Sequence, residues 1–178
     1  SLESDLVLTS GEQVTIGLLS AELKNKGIKT IPLLGWQIPI ITDDSHEKAK
    51  ILHIDNKRIE KFFEMNDVIV LAGFQGISLD GEITSLGRGG SDTTAVAIAS
   101  SVDAKRCDIY TDVDGVYTTD PNIDQNAKKI SKMSYEEMLE MASTGSKVLH
   151  TRSVELAMKN NLTIQVLSSL TKETGTFI

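Results

Sequence analysis

Residues 85–95 read SLGRGGSDTTA: three glycines surround one arginine, and the run closes on a serine and an aspartate. The alanine-rich stretch that follows, up to Val102, carries few charges, so the segment predicts a flexible loop opening directly into a buried helix with cap-favouring residues at its start. Such a junction suits an anion. Glycines let backbone N–H groups approach closely, and the helix adds the positive end of its dipole. Arg88 adds a guanidinium, which meets a carboxylate in a two-pronged fork that lysine cannot copy. Two familiar phosphate motifs fail here. No lysine follows the glycines as a P-loop requires, and Asp92 occupies the third glycine position of a dinucleotide fingerprint counted from Gly87. The loop therefore reads as a carboxylate or phosphate clamp, or as a glycine turn with a surface arginine and a capping Ser91 or Asp92.

Working outward, short apolar runs alternate with helical patterns. Upstream, GIKTIPLLG and QIPIITDD, punctuated by Pro32, Gly35 and Pro39, predict a strand and an irregular extension, KILHI and VIVLAG (68–73) predict strands, and NKRIEKFFEMN predicts a helix. Near the start, EQVTIGLLSAELKNK places Val14, Leu18, Leu19 and Leu23 at helical spacing, with Gly27 where a helix ends in a left-handed residue. Downstream, CDIYT (107–111) is a strand and TRSVELAMKNN a helix, with TIQVL as the closing strand. SYEEMLEMA opens with Ser134 and has Glu137 three residues later, a capping-box pattern. This alternation predicts an α/β protein, a three-layer αβα sandwich around a mostly parallel sheet. The absence of repeats or linker-like tracts predicts a single domain over 1–178.

With 18 Lys+Arg against 25 Asp+Glu, the net charge of −7 argues against nucleic acid as a partner. No uninterrupted apolar stretch is long enough for a membrane span, and SLESDLVLTS lacks the blocks of a signal peptide. The single cysteine, Cys107, heads an apolar run and reads as a buried small hydrophobe, compatible with a reducing, cytoplasmic setting.

A second polar cluster, TDVDGVYTTDPN (111–122), follows the CDIYT strand at its carboxyl end, where ligands of open α/β sheets collect. Asp114 and Gly115 mark a turn, and hydroxyls and carboxylates crowd around it. The spacing does not match a calcium-binding EF-hand loop.

Together, SLGRGGSDTTAVAIA and TDVDGVYTTDP resemble the catalytic domain of the aspartokinases, members of the amino-acid kinase family. LTSGEQ, AGFQG and GSKVLHTRSVELA are similar to aspartokinase segments in the expected order, so the likeness covers nearly the whole chain. The second motif is shared across the family, whereas the first is selective for aspartokinase. The resemblance implies the amino-acid kinase fold and transfer of the γ-phosphoryl of Mg-ATP to the side-chain carboxylate of L-aspartate. It implies that Arg88 grips the α-carboxylate of aspartate and Glu12 its ammonium. Phe74 and Ser91 position the substrate, and Asp92 organises the reacting centre. On the nucleotide side it implies Thr111 and Asp112 at the adenosine part, the run Tyr117, Thr118, Thr119, Asp120, Pro121 and Asn122 along base and phosphates, and Lys147 as a further contact. Many relatives carry arginine where this chain has Asn122. No protein metal site is implied, Mg2+ arriving with ATP.

Family members also carry a K-F-G-G-[TS] loop whose lysine bridges the phosphates, and no such motif occurs in these 178 residues. Phosphoryl transfer rests on positioning and on charge neutralisation, so the expectation is a truncated catalytic domain, incomplete at its N-terminus and without the C-terminal ACT domains, that binds nucleotide with little turnover. Uncovered sheet edges would favour a homo-oligomer. The alternatives are a non-catalytic nucleotide-binding or assembly module, or another kinase of the family.

Overall fold

The computed structural model describes residues 1–145 and 148–178, arranged as two compact units, Ser1–Thr94 and Ala95–Ile178. Both are α/β, as expected.

The first unit opens with α1 (Leu2–Asn25), whose first turn carries Glu3 and Asp5 and whose last carries Lys24, in keeping with the helix dipole. Gly27 ends it at φ +80°, as its position in the sequence suggested. Then come β1 (Thr30–Leu33), β2 (Ile40–Thr42), β3 (Ile51–Ile54), α2 (Asn56–Phe63), β4 (Val68–Leu71), β5 (Gln75–Ile77) and β6 (Ile83–Ser85). Strands β1 and β4 pair in parallel from Thr30↔Val68 to Leu33↔Leu71. A second sheet runs β3-β2-β5-β6, parallel only at β2–β5.

α1 begins at Leu2, ten residues before the predicted stretch that opens at Glu12, and its apolar residues do not all face inward. Val14 and Leu18 are 64% and 69% exposed and Leu19 is exposed too, while the buried residues of the helix are Asp5, Thr9, Ile16 and Ser20. Apolar periodicity located the helix but not its inward face. That face is set by polar contacts: Gln75 Nε2 donates to the Thr9 carbonyl at 3.4 Å, and Asp5 accepts from Ser85 and Glu47. Ile16, Val70 and Ala72 supply the apolar part of the packing.

α3 (Gly90–Ser101) begins at Gly90, so Ser91 and Asp92 lie in its first turn rather than capping it. The second unit continues with β7 (Cys107–Thr111), β8 (Val116–Tyr117), β9 (Lys129–Ile130), α4 (Tyr135–Ser143), α5 (Thr151–Asn160), β10 (Ile164–Ser168) and β11 (Thr176–Phe177). β10 pairs in parallel with β7 along five residues, and β11 pairs antiparallel on its other side, so TIQVL is not the last strand. The capping box of α4 is present, with Ser134 Oγ accepting from the Glu137 amide and Glu137 from the Ser134 amide. Met138, Val154, Ile164 and Val166 are wholly buried at the centre of this unit, and Cys107 joins their cluster as the sequence implied.

Candidate active site

In the first unit the loop Leu86–Gly89 carries Arg88 from β6 into α3. Gly87 and Gly89 both hold positive φ, +71° and +68°, so the chain turns twice within three residues. The loop is seated on two sides. On one, the Leu86 amide donates to the Phe74 carbonyl at 3.0 Å, and the Phe74 amide donates to Thr94 Oγ1 at 3.0 Å. A Cβ at Gly90 would stand 2.7 Å from Phe74 Cδ2, so only glycine allows this approach. On the other side, a Cβ at Gly87 would meet the Glu47 carbonyl oxygen at 2.6 Å.

Phe74 itself holds φ +66°, uncommon for an aromatic residue, and strain of this kind clusters at ligand sites. Of the residues expected on the aspartate side, Phe74 and the start of α3 with Ser91 and Asp92 are thus brought together. A Cβ on neighbouring Gly73 would lie 3.6 Å from the Ser91 Cα. Arg88 and Ser91 are exposed and Asp92 is partly so. Glu12 lies half-buried on α1, which packs along β6, the strand that feeds the loop.

In the second unit, Thr111 ends β7 and its hydroxyl donates to Asp112 Oδ1 at 3.1 Å, leaving Asp112 exposed at the carboxyl end of a parallel pair. The Thr111 carbonyl is anchored by the Ser169 amide at 2.8 Å. Tyr117 donates to Asp114 Oδ1 at 2.9 Å, and Lys129, its register partner across β8–β9, reaches Asp114 Oδ2 at 3.2 Å and also pairs with Glu173. Burial pushes the Asp114 carboxyl up, but the hydrogen bonds from Tyr117 and Lys129 outweigh it and hold the pKa below the usual range. The Asp114 bond raises the Tyr117 hydroxyl in turn.

Further along, Thr118 exchanges hydrogen bonds with Lys128, and the Asp120 carboxylate accepts from both the amide and the side chain of Asn122. Thr119, Asp120, Pro121 and Asn122 are exposed. Beside Lys129 lies an open cavity of about 400 Å³ bordered by Lys172, Glu173 and Gly175. Lys147 lies outside the described residues. Among the described residues no three His, Cys, Asp or Glu side chains stand together as a metal site, and no helix is long and apolar enough to cross a membrane.

Sequence reasoning missed two sets of residues: the Lys129–Glu173 side of the Asp114 network, and the Asp5, His46 and Ser85 group of the first unit. A polar stripe at Asp5, Thr9 and Glu12, spaced at helical intervals, was the available signal for the second.

The chain is thus a mixed α/β scaffold, with a glycine–arginine loop leading into a helix in its first unit and an acidic turn after a strand end in its second. The chain belongs to the amino acid kinase family, whose model matches residues 1–168. The resemblance to aspartokinases is borne out. An aspartokinase from Geobacillus stearothermophilus is 49% identical over 99% of this chain, which spans 43% of that relative's length. Among solved structures, E. coli aspartokinase III in complex with aspartate and ADP superposes with a TM-score of 0.87 at 30% identity, covering 99% of this chain and 40% of that one. Aspartate kinase from Synechocystis gives 0.86 at 42% identity, over 99% of this chain and 28% of that one.

Proposed function

We propose that this chain carries the aspartate-binding and nucleotide-binding residues of a cytoplasmic aspartate kinase. The reaction is attack of the aspartate side-chain carboxylate oxygen on the γ-phosphorus of Mg-ATP, with cleavage of the bond to the β,γ-bridging oxygen. The products are 4-phospho-L-aspartate and ADP, and the step opens lysine, threonine and methionine synthesis. The observation that carries this reading is the seating of the GRGGSD loop against Phe74 at the start of α3, in a chain aligned over 99% of its length with aspartokinases.

In this reading Arg88 forks onto the α-carboxylate and Glu12 receives the ammonium, opposite charges for the two ends of a zwitterion. Phe74 and Ser91 position the substrate, and Asp92 orients groups at the reacting carboxylate. Thr111 and Asp112 meet the adenosine part, Tyr117 to Asn122 border base and phosphates, and Lys147 adds a contact. Asp114 and Asp120 are engaged by Lys129 and Asn122, so the fit favours Mg2+ held chiefly by the phosphates, as that ion usually is. The chain contains no K-F-G-G lysine, so alone it binds Mg-ATP weakly with little turnover.

The apolar residues exposed on α1, Val7, Val14 and Leu18 among them, support self-association. Sedimentation would register this as concentration-dependent mass, and clean monomer at high concentration would contradict it. The test of the nucleotide assignment is calorimetric titration with Mg-ATP beside an Asp112→Ala control. Binding that is lost in the control supports the assignment, and binding that the control leaves intact refutes it. ADP release with L-aspartate at the rate of a complete enzyme would overturn the claim of low activity.

A further inference from the structure

Asp5 has no solvent exposure, yet it is a carboxylate on the first turn of α1. Its Oδ1 accepts from Ser85 Oγ at 2.6 Å and from the Glu47 amide at 3.1 Å, and its Oδ2 lies 2.6 Å from His46 Nδ1. The other ring nitrogen of His46 faces Glu82 at 3.4 Å. A buried carboxylate is tolerated only when its acceptor sites are filled in this way, so the group holds together as a unit.

Each partner leads to the clamp. Ser85 is the last residue before the glycine–arginine loop, and its carbonyl accepts from the Ala49 amide at 2.9 Å. Glu47 holds a strained φ of +66°, and its carbonyl oxygen is the atom on which Gly87 rests, one residue from Arg88. Glu12 follows Asp5 by seven residues on the same helix, two turns on and on nearly the same face.

We propose that Asp5 and His46 are positioning residues for amino-acid recognition: by tying α1 to the 46–49 segment and to Ser85, they set the spacing between Glu12 and Arg88. The inference rests on the reading of those two residues as the aspartate clamp. Neither Asp5 nor His46 touches substrate. They act through the backbone on which the clamp stands, within the first unit.

His46 gives the network a pH signature. The groups around it are Asp5, Glu3 and the Ser1 amino group from α1, its chain neighbour Glu47, and Glu82 from the turn between β5 and β6. The hydrogen bond to Asp5 holds the imidazolium above its usual pKa against the effect of burial, with Glu82 adding to it. Its contribution is therefore complete below the unfolded value of about 6.5 and fades as pH rises through the higher folded value.

The test is calorimetric titration of the full chain with L-aspartate and, separately, Mg-ATP, for the unaltered protein, His46→Gln, Asp5→Asn and Arg88→Lys, between about pH 6 and 8. The expected result is L-aspartate affinity that weakens with rising pH in the unaltered chain. His46→Gln should lower it on the order of tenfold at the acid end and flatten the profile, with Mg-ATP affinity unchanged. If Asp5→Asn does not fold, His46→Gln decides alone. L-aspartate binding that responds to Arg88→Lys but not to His46→Gln overturns the inference and leaves the clamp standing. Equal losses for both ligands also overturn it, by showing a general structural defect. No L-aspartate binding by the unaltered chain overturns the clamp and the inference together.

Discussion

Replacing Gly87 by alanine tests the seat of the glycine–arginine loop with two separable costs. The first is conformational: Gly87 holds φ +71°, and a side chain in the left-handed region costs about 1–2 kcal/mol. The second is steric, because the added Cβ would stand 2.6 Å from the Glu47 carbonyl oxygen, a backbone atom that cannot swing away. Overpacking of this kind adds about 1–3 kcal/mol, for a total of about 2–5 kcal/mol. Gly81 supplies the control, since it holds φ +85° with nothing within 4 Å of its would-be Cβ, so Gly81→Ala carries only the first cost.

Trp36 is the one tryptophan of the chain and lies in the first unit, so urea unfolding followed by its fluorescence reports on that unit. Taking a mid-range urea slope of about 2 kcal/mol/M, the midpoint should fall by about 1–2.5 M for Gly87→Ala and by about 0.5–1 M for Gly81→Ala. Equal shifts would refute the packing of Gly87 on Glu47, and with it the physical basis for a fixed clamp.

Three further outcomes follow from the same geometry. Arg88→Lys should weaken L-aspartate binding by about 1–3 kcal/mol through loss of the bidentate fork while sparing Mg-ATP, and unchanged aspartate affinity in calorimetry would dispose of the assignment. Ser134→Ala removes the capping box of α4 and should cost about 1 kcal/mol, lowering the melting temperature by about 2–4 °C; an unshifted melt would contradict it. Because the folded-state pKa of Asp114 is depressed, its stabilisation is present above the ordinary aspartate value of about 4 and is lost as pH falls through the lower folded value. The gap in melting temperature between the unaltered chain and Asp114→Asn should therefore be open at neutral pH and close in acid, and a gap independent of pH would refute the Tyr117–Asp114–Lys129 network.

Elements with strong local signals were legible in the sequence. The α4 capping box, the continuous CDIYT and VIVLAG strands and the left-handed Gly27 terminus all stand where local chemistry put them. The hairpin of β5 and β6 went unread although Asp80-Gly81 is a turn signal, because its strands have three residues each and carry Gly76, Thr84 and Ser85 in place of alternating apolar residues. β8 and β9 are two residues each, joined across the polar 118–128 loop, and leave no periodic trace. The inward face of α1 was not legible, because hydrophobic spacing alone weighs Val14 and Leu18 above Asp5 and Thr9, whose partners lie dozens of residues away.

The same division holds for the site. Residues contiguous in GRGGSD and TDVDGVYTTDP could be named from motifs, whereas the His46–Asp5 contact, 41 residues apart in sequence, and the Lys129–Glu173 pair, 44 apart, exist only once the chain is folded.

The measurement that bears most directly on the account is calorimetric titration of the full chain with L-aspartate beside succinate, which keeps both carboxylates but lacks the ammonium assigned to Glu12. Saturable binding of L-aspartate with succinate markedly weaker is the result this account requires. Equal affinity for the two, or none for L-aspartate, would contradict the clamp of Arg88 and Glu12.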